Sequence, residues 1–235
     1  MKVLEITSYV GCINSCWYCP QKLLTSVYKG KRIMTLPEFE LILDNVPRGA
    51  RIDFTGMSEI FGHRDGAMFI RTAYDRGYRV LLYSTLQGIS QSDFETLKDV
   101  KFEDVKYHQI PGCDLSDFNE KIRLFNEIQQ GSIVTVSQEN NSLWSRAGTV
   151  HERDILEGRF FCAGVNGKEF DHNLVLPNGD VYICCMDYGL KHGIGNLFET
   201  HYNNLDREKL RELSDQKQSE IICRKCELFK KIVDY

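Results

Sequence analysis

Three cysteines fall in one short run, Gly11-Cys12-Ile13-Asn14-Ser15-Cys16-Trp17-Tyr18-Cys19-Pro20, with the spacing C-x₃-C-x₂-C. They follow directly on the apolar residues 3–10, so the chain has to build a strand and then a metal-binding loop almost at once. Three thiolates this close hold three irons of a [4Fe–4S] cluster and leave the fourth iron open to a small-molecule chelator. Structural zinc takes four ligands in a closed site, and the next cysteine, Cys113, is far along the chain.

The first 150 residues alternate strand and helix signals. Strand-like runs cover residues 3–10, 51–56, 79–85, 104–110 and 132–137. Amphipathic helical stretches cover 36–45, 67–76, 90–97 and 116–129. Thr35, Pro37 and Glu38 form a good helix start, and Ser116 or Asp117 is expected to cap the fourth helix. Strands separated by helices imply a parallel sheet of α/β class, here a partial (β/α) barrel of about five or six units. Ligands of such sheets bind at the carboxyl ends of the strands, where the cysteine loop lies.

After residue 150 the pattern changes. Residues 172–183 read as a β-hairpin around Pro177-Asn178-Gly179-Asp180, followed by a Gly-rich loop over 189–195 and a helix over 205–215. The expected division is 1–150 for the partial barrel and 151–235 for a small hairpin-and-helix module. Cys223-x₂-Cys226 is a metal knuckle by spacing. With Cys162 and one of Cys184 or Cys185 it supplies four thiolates, enough for a [4Fe–4S] cluster or for zinc.

A net charge of −4 with no Lys/Arg block gives no argument for nucleic-acid binding, and no apolar run is long enough to span a membrane. Nine cysteines without a visible secretory signal read as metal ligands in a reducing cytoplasm rather than as a disulfide framework.

The cysteine spacing, its place after the first strand and the aromatic Tyr18 before Cys19 resemble the radical S-adenosylmethionine (AdoMet) superfamily. Cys162, Gly179-x₄-Cys184, Gly195-Asn196-Leu197 and Cys223-x₂-Cys226 resemble its shortened SPASM module, called Twitch. Within the superfamily, Cys-x₃-Cys-Trp-Tyr-Cys-Pro and the segment Ser145-Arg146-Ala147-Gly148 are similar to the 2-deoxy-scyllo-inosamine dehydrogenases.

The resemblance implies two [4Fe–4S] clusters, one on Cys12, Cys16 and Cys19 and one on Cys162, Cys184, Cys223 and Cys226. It also implies AdoMet, cleaved to a 5′-deoxyadenosyl radical, and a flavodoxin or ferredoxin-type electron donor. Gly56, Ser58 and Glu59 occupy the place of the family's Gly-Gly-Glu-Pro motif, with Ser58 for a glycine and Ile60 for the proline. Glu59 is expected to pair with the AdoMet ammonium. Tyr18, Ser84, Thr85 and Gln109 are further cofactor candidates, and Arg146 is a candidate for the AdoMet carboxylate or for substrate.

Three chemistries follow from this family. One is oxidation of a small polar substrate such as a sugar, cyclitol or related alcohol, with the auxiliary cluster as electron acceptor. A second is epimerisation with Cys113 or Cys185 as hydrogen donor. The third is maturation of a ribosomal peptide, ranked below these because the chain starts two residues before its first strand and leaves no room for a leader-recognition domain. Where the sugar-alcohol dehydrogenases have Cys-Phe-Glu-Asp, this chain has Cys184-Cys185-Met186-Asp187, which argues against the same aminocyclitol substrate.

Overall fold

A computed structural model describes residues 1–135, 145–164 and 169–232. Five parallel strands, β1 (Val3–Ile6), β2 (Arg51–Phe54), β3 (Arg79–Ser84), β4 (Asp104–Gln109) and β5 (Ser132–Thr135), lie in sequence order across the sheet. The helices α2 (Leu36–Asp44), α3 (Gly66–Asp75), α4 (Gln91–Leu97) and α5 (Leu115–Asn126) provide the crossovers between them. All five strand expectations and all four helix expectations are met. Residues 136 and 137 of the expected fifth strand lie outside the described residues.

The core forms where helix faces meet the sheet. Phe39, Phe54, Phe69, Val80, Leu82 and Phe125 are almost wholly buried in one apolar cluster, with Phe39 stacked on Phe69 at 4.8 Å. Glu38 accepts a hydrogen bond from the Thr35 backbone N–H at 2.8 Å, so α2 starts as the sequence indicates. The start of α5 differs: Asp114, not Ser116 or Asp117, is its cap, accepting from both of their backbone N–H groups. A short helix that periodicity missed, α1 (Gln21–Val27), follows the cysteine loop. It buries only Leu24, so it carries almost no apolar stripe to detect.

The C-terminal part extends the same sheet. Strand β7 (His172–Val175) pairs parallel to β1, with Val3 opposite His172, and β8 (Asp180–Tyr182) turns back against it as the expected hairpin. Gly179 closes the turn at φ +81°, where a Cβ would lie 2.6 Å from the Asn196 side chain. Part of the expected Gly-rich loop is instead an edge strand, β9 (Gly193–Asn196), whose register shifts opposite Val181 and Tyr182. Glycines suit such an irregular edge, and this is why the segment reads as loop in sequence.

A two-stranded antiparallel pair, β6 (Phe160–Cys162) with β10 (Phe229–Lys231), and helix α6 (Glu208–Asp215) complete the described residues. Among them no helix is long and apolar enough to cross a membrane.

Candidate functional site

Two cavities share Cys185, and the first lies at the end of the sheet where β1 and β2 deliver their loops. The first is an open cleft at the carboxyl ends of the parallel strands, where ligands of such sheets bind. Cys12, Cys16 and Cys19 line it together with Tyr18, Gly56, Ser58, Glu59, Thr85, Arg146 and Cys185. The loops after β1 and β2 can approach because Gly56 has no side chain: a Cβ there would stand 2.3 Å from the Ile6 carbonyl oxygen. Met57 N–H then donates to Thr7 Oγ1 at 2.9 Å, and Glu59 N–H donates to Cys12 Sγ at 3.3 Å.

Glu59 is buried, and its carboxylate ties β2 to β3. Oε1 accepts from Ser84 Oγ at 2.6 Å, and Oε2 accepts from the backbone N–H and hydroxyl of Thr85, each at 2.6 Å. Burial pushes this carboxyl up, against the lowering effect of those donors. Ser84 therefore serves Glu59 rather than the cleft, while Thr85 also lines the cleft and accepts from Asn14 Nδ2 at 3.0 Å. At the end of β4, His108 lines the cleft and Gln109 does not, as the alternation of a strand requires. His108 shares a 3.0 Å hydrogen bond with Tyr18 Oη, and burial, then nearby Arg146, pushes its pKa down to about 4. It is neutral at physiological pH.

Arg146 is the one guanidinium on the cleft wall, and it forms no ion pair among the described residues. Burial works against its charge, but Tyr188, Cys185 and Cys19 close by hold the pKa up. A desolvated cation without an anion is expensive, so an anionic ligand group fits here. Tyr188, whose hydroxyl lies 3.6 Å from Cys19 Sγ, was not foreseen from sequence; it sits in a turn with no pattern to mark it. Cys113 lies elsewhere, in an open depression that Trp17 and Cys16 also line.

The second cavity is apolar and is lined by Cys162, Cys184, Cys223 and Cys226, with Phe160, Met186 and Leu228. Burial pushes the Cys184 and Cys223 thiols well up, so bare thiolates there are costly and a bound cation would offset the cost. Among the described residues no three Cys, His or carboxylate side chains converge as they would on a single ion. A four-iron cube takes its thiolates at separated corners, and the soft, all-thiol donor sets fit it. Cys184 lines only this second cavity, whereas Cys185 lines both. Glu5 and His172, paired at 2.7 Å, close its floor and were not foreseen as neighbours of either site.

Residues 162–227 match the SPASM family, an iron–sulfur cluster-binding domain. Among curated proteins none matches this sequence. Among solved structures, the chain is similar to BtrN in complex with AdoMet and 2-DOIA, at TM-score 0.67 and 17% identity, covering 92% of this chain and 88% of that one. It is also similar to Streptococcus suis SuiB bound to precursor peptide SuiA (TM-score 0.62, 14% identity, 96% and 69% covered). A third likeness is to anSMEcpe with bound AdoMet (TM-score 0.61, 14% identity, 96% and 83% covered). The chain therefore has the fold of these radical AdoMet structures, and its residues 162–227 match the SPASM iron–sulfur cluster-binding domain.

Proposed function

We propose that this chain is a radical AdoMet oxidoreductase that oxidises a small polar alcohol, of the sugar or cyclitol kind. The observation that carries this reading is the shared wall between the two thiol-lined cavities, at Cys185. A substrate resting on that wall would lie beside both sites at once. Cys12, Cys16 and Cys19 would hold the cluster with the open iron, and Cys162, Cys184, Cys223 and Cys226 the fully ligated one. When bound, the first with AdoMet supplies a hydrogen-abstracting 5′-deoxyadenosyl radical and the second supplies an acceptor for the electron left on the substrate.

The chain's own side chains do the rest. Arg146 pairs with the AdoMet carboxylate through a charge-assisted bond. Glu59 keeps the ends of β2 and β3 together, so the backbone of residues 56–59 presents a fixed edge to the AdoMet amino group. Tyr83, Tyr188 and Met57 narrow the cleft against water. Met186, in contact with Arg146 at 3.8 Å, leaves no carboxylate at that place for a cationic amine. This supports a neutral or anionic alcohol over an aminocyclitol.

The test is anaerobic incubation of reconstituted protein with AdoMet, dithionite and a panel of sugars, cyclitols and related alcohols. One alcohol should yield a ketone two hydrogens lighter, matched one to one by 5′-deoxyadenosine. Failure to cleave AdoMet at all refutes the enzyme assignment.

Epimerisation is a second reading, favoured by the position of Cys185 on the cleft wall; Cys113 does not line the cleft. In deuterated water an epimerase places one deuterium at the inverted carbon, and a dehydrogenase places none.

A further inference from the structure

Ordering a guanidinium on a long flexible stem costs rotamer entropy, and a fixed backbone limits the directions in which that stem can leave the chain. Here that backbone is unusual. Arg146, Ala147 and Gly148 are all left-handed, at φ +52°, +53° and +79°, and the first two have Cβ atoms that disfavour the conformation. Neighbours must hold such a turn in place.

Ser145 does so, and its partners come from the C-terminal knuckle. The Ser145 backbone N–H donates to Glu227 Oε1 at 2.6 Å, and its hydroxyl donates to the Lys225 carbonyl at 3.4 Å. The same hydroxyl accepts the Gly148 N–H at 3.0 Å, so one wholly buried serine closes the turn and ties it down. Gly148 is pressed against Lys225, whose Cδ would lie 2.9 Å from a Cβ at that position. Ala147 packs with Cys226 and Met186 in a small buried cluster. Glu227 is itself fixed by Arg153 at 2.9 Å, while its Oε2 is buried without a hydrogen-bond partner among the described residues. Lys225 and Glu227 flank Cys226, yet the side chain they position lines the other cavity.

We propose that Ser145 and Glu227 are positioning residues for Arg146, forming a clasp through which the Cys223–Cys226 knuckle sets anion binding in the AdoMet cleft. This rests on the reading of Arg146 as the partner of the AdoMet carboxylate. The clasp touches neither AdoMet nor substrate. It fixes the direction in which the guanidinium leaves the chain, and it makes a cation without an ion pair among the described residues depend on an ordered second site.

The experiment compares the affinities of reconstituted protein for AdoMet and for decarboxylated AdoMet by calorimetry. The ratio of the two isolates the carboxylate. In Arg146→Gln the preference should fall about tenfold, the usual worth of a charged hydrogen bond. Glu227→Ala and Ser145→Ala should each reduce the preference by a similar factor, and the Glu227→Ala/Arg146→Gln double variant should fall no further than Arg146→Gln alone. Glu227→Gln, whose amide oxygen still accepts the Ser145 N–H, should restore most of it. Iron content and the visible spectrum of each variant report whether the clusters are retained. If Arg146→Gln loses the preference but both clasp variants keep it, or if losses simply add, the clasp is refuted and the role of Arg146 stands. If Arg146→Gln leaves the preference intact, the reading of Arg146 fails and the clasp with it. Ser145→Ala keeps the test open should Glu227→Ala not fold.

Discussion

Glu59 spends its acceptor capacity on its own chain. Three donors from Ser84 and Thr85 point at its oxygens. Glu59→Gln would turn one of those oxygens into a donor facing donors, which costs about 1–3 kcal/mol when buried. Denaturant unfolding of the protein should show that loss, and AdoMet affinity should fall with it as the loop over 56–59 loosens. An acid after the second strand was visible in the sequence. Its partners were not, because they lie on the next strand and only the folded sheet brings them together. Cys185 is a similar case: its neighbour Cys184 has the same chemistry, and the difference lies in which cavity each one faces. Cys185→Ala should leave alcohol oxidation in place if the chain is a dehydrogenase. It should abolish deuterium incorporation and inversion if it is an epimerase. Product analysis by mass spectrometry in deuterated water separates these outcomes.

At the level of elements, the 3.6-residue and two-residue periods located the crossover helices and the parallel strands, because each buries one face in the core. Boundaries were less legible. The α5 cap falls on Asp114 rather than on the two residues after it, since both of their N–H groups point back at its carboxylate. That carboxyl is held below its ordinary range by the Ser116 side chain and by those backbone donors. Asp114→Ala should lower stability through the loss of this cap, and Asp114→Asn by less. Urea midpoints at neutral pH measure the difference. Strand β9 escaped notice for the opposite reason: a glycine-rich edge has no apolar alternation, and only its pairing with β8 defines it.

Across the whole molecule, the contact between β1 and β7 joins segments about 170 residues apart in sequence, and the buried pair of Glu5 and His172 sits on it. Burial opposes both charges, yet their pairing leaves Glu5 below its ordinary 4.5 and His172 above its ordinary 6.5. A raised imidazole stabilises the fold fully below its unfolded value and loses that contribution as pH rises through the folded one. The lowered carboxyl contributes above its unfolded value and loses its share as pH falls through the folded one. The pair thus contributes most in mildly acidic solution. Thermal midpoints should drop on going from pH 6 to pH 8 more steeply in the wild-type chain than in His172→Gln, by about one proton's linkage. The two thiol sets give a further expectation at this scale. Anaerobic reconstitution should load about eight irons, and the Cys12/Cys16/Cys19→Ala triple variant should keep about half of them and lose AdoMet cleavage. Four irons with zinc in the second set would overturn the assignment.

The seating of β7 against β1 also has a consequence for synthesis on the ribosome. Residues 3–6 emerge before the rest of the sheet, and one of their hydrogen-bonding edges is filled by β2. The other edge must wait until residues 172–175 have left the exit tunnel. For most of translation the nascent chain thus exposes an unpaired, apolar strand edge, the kind that recruits other chains. Folding of this protein is expected to finish late, from its last quarter, and its yield in cells should depend on what shields that edge in the meantime.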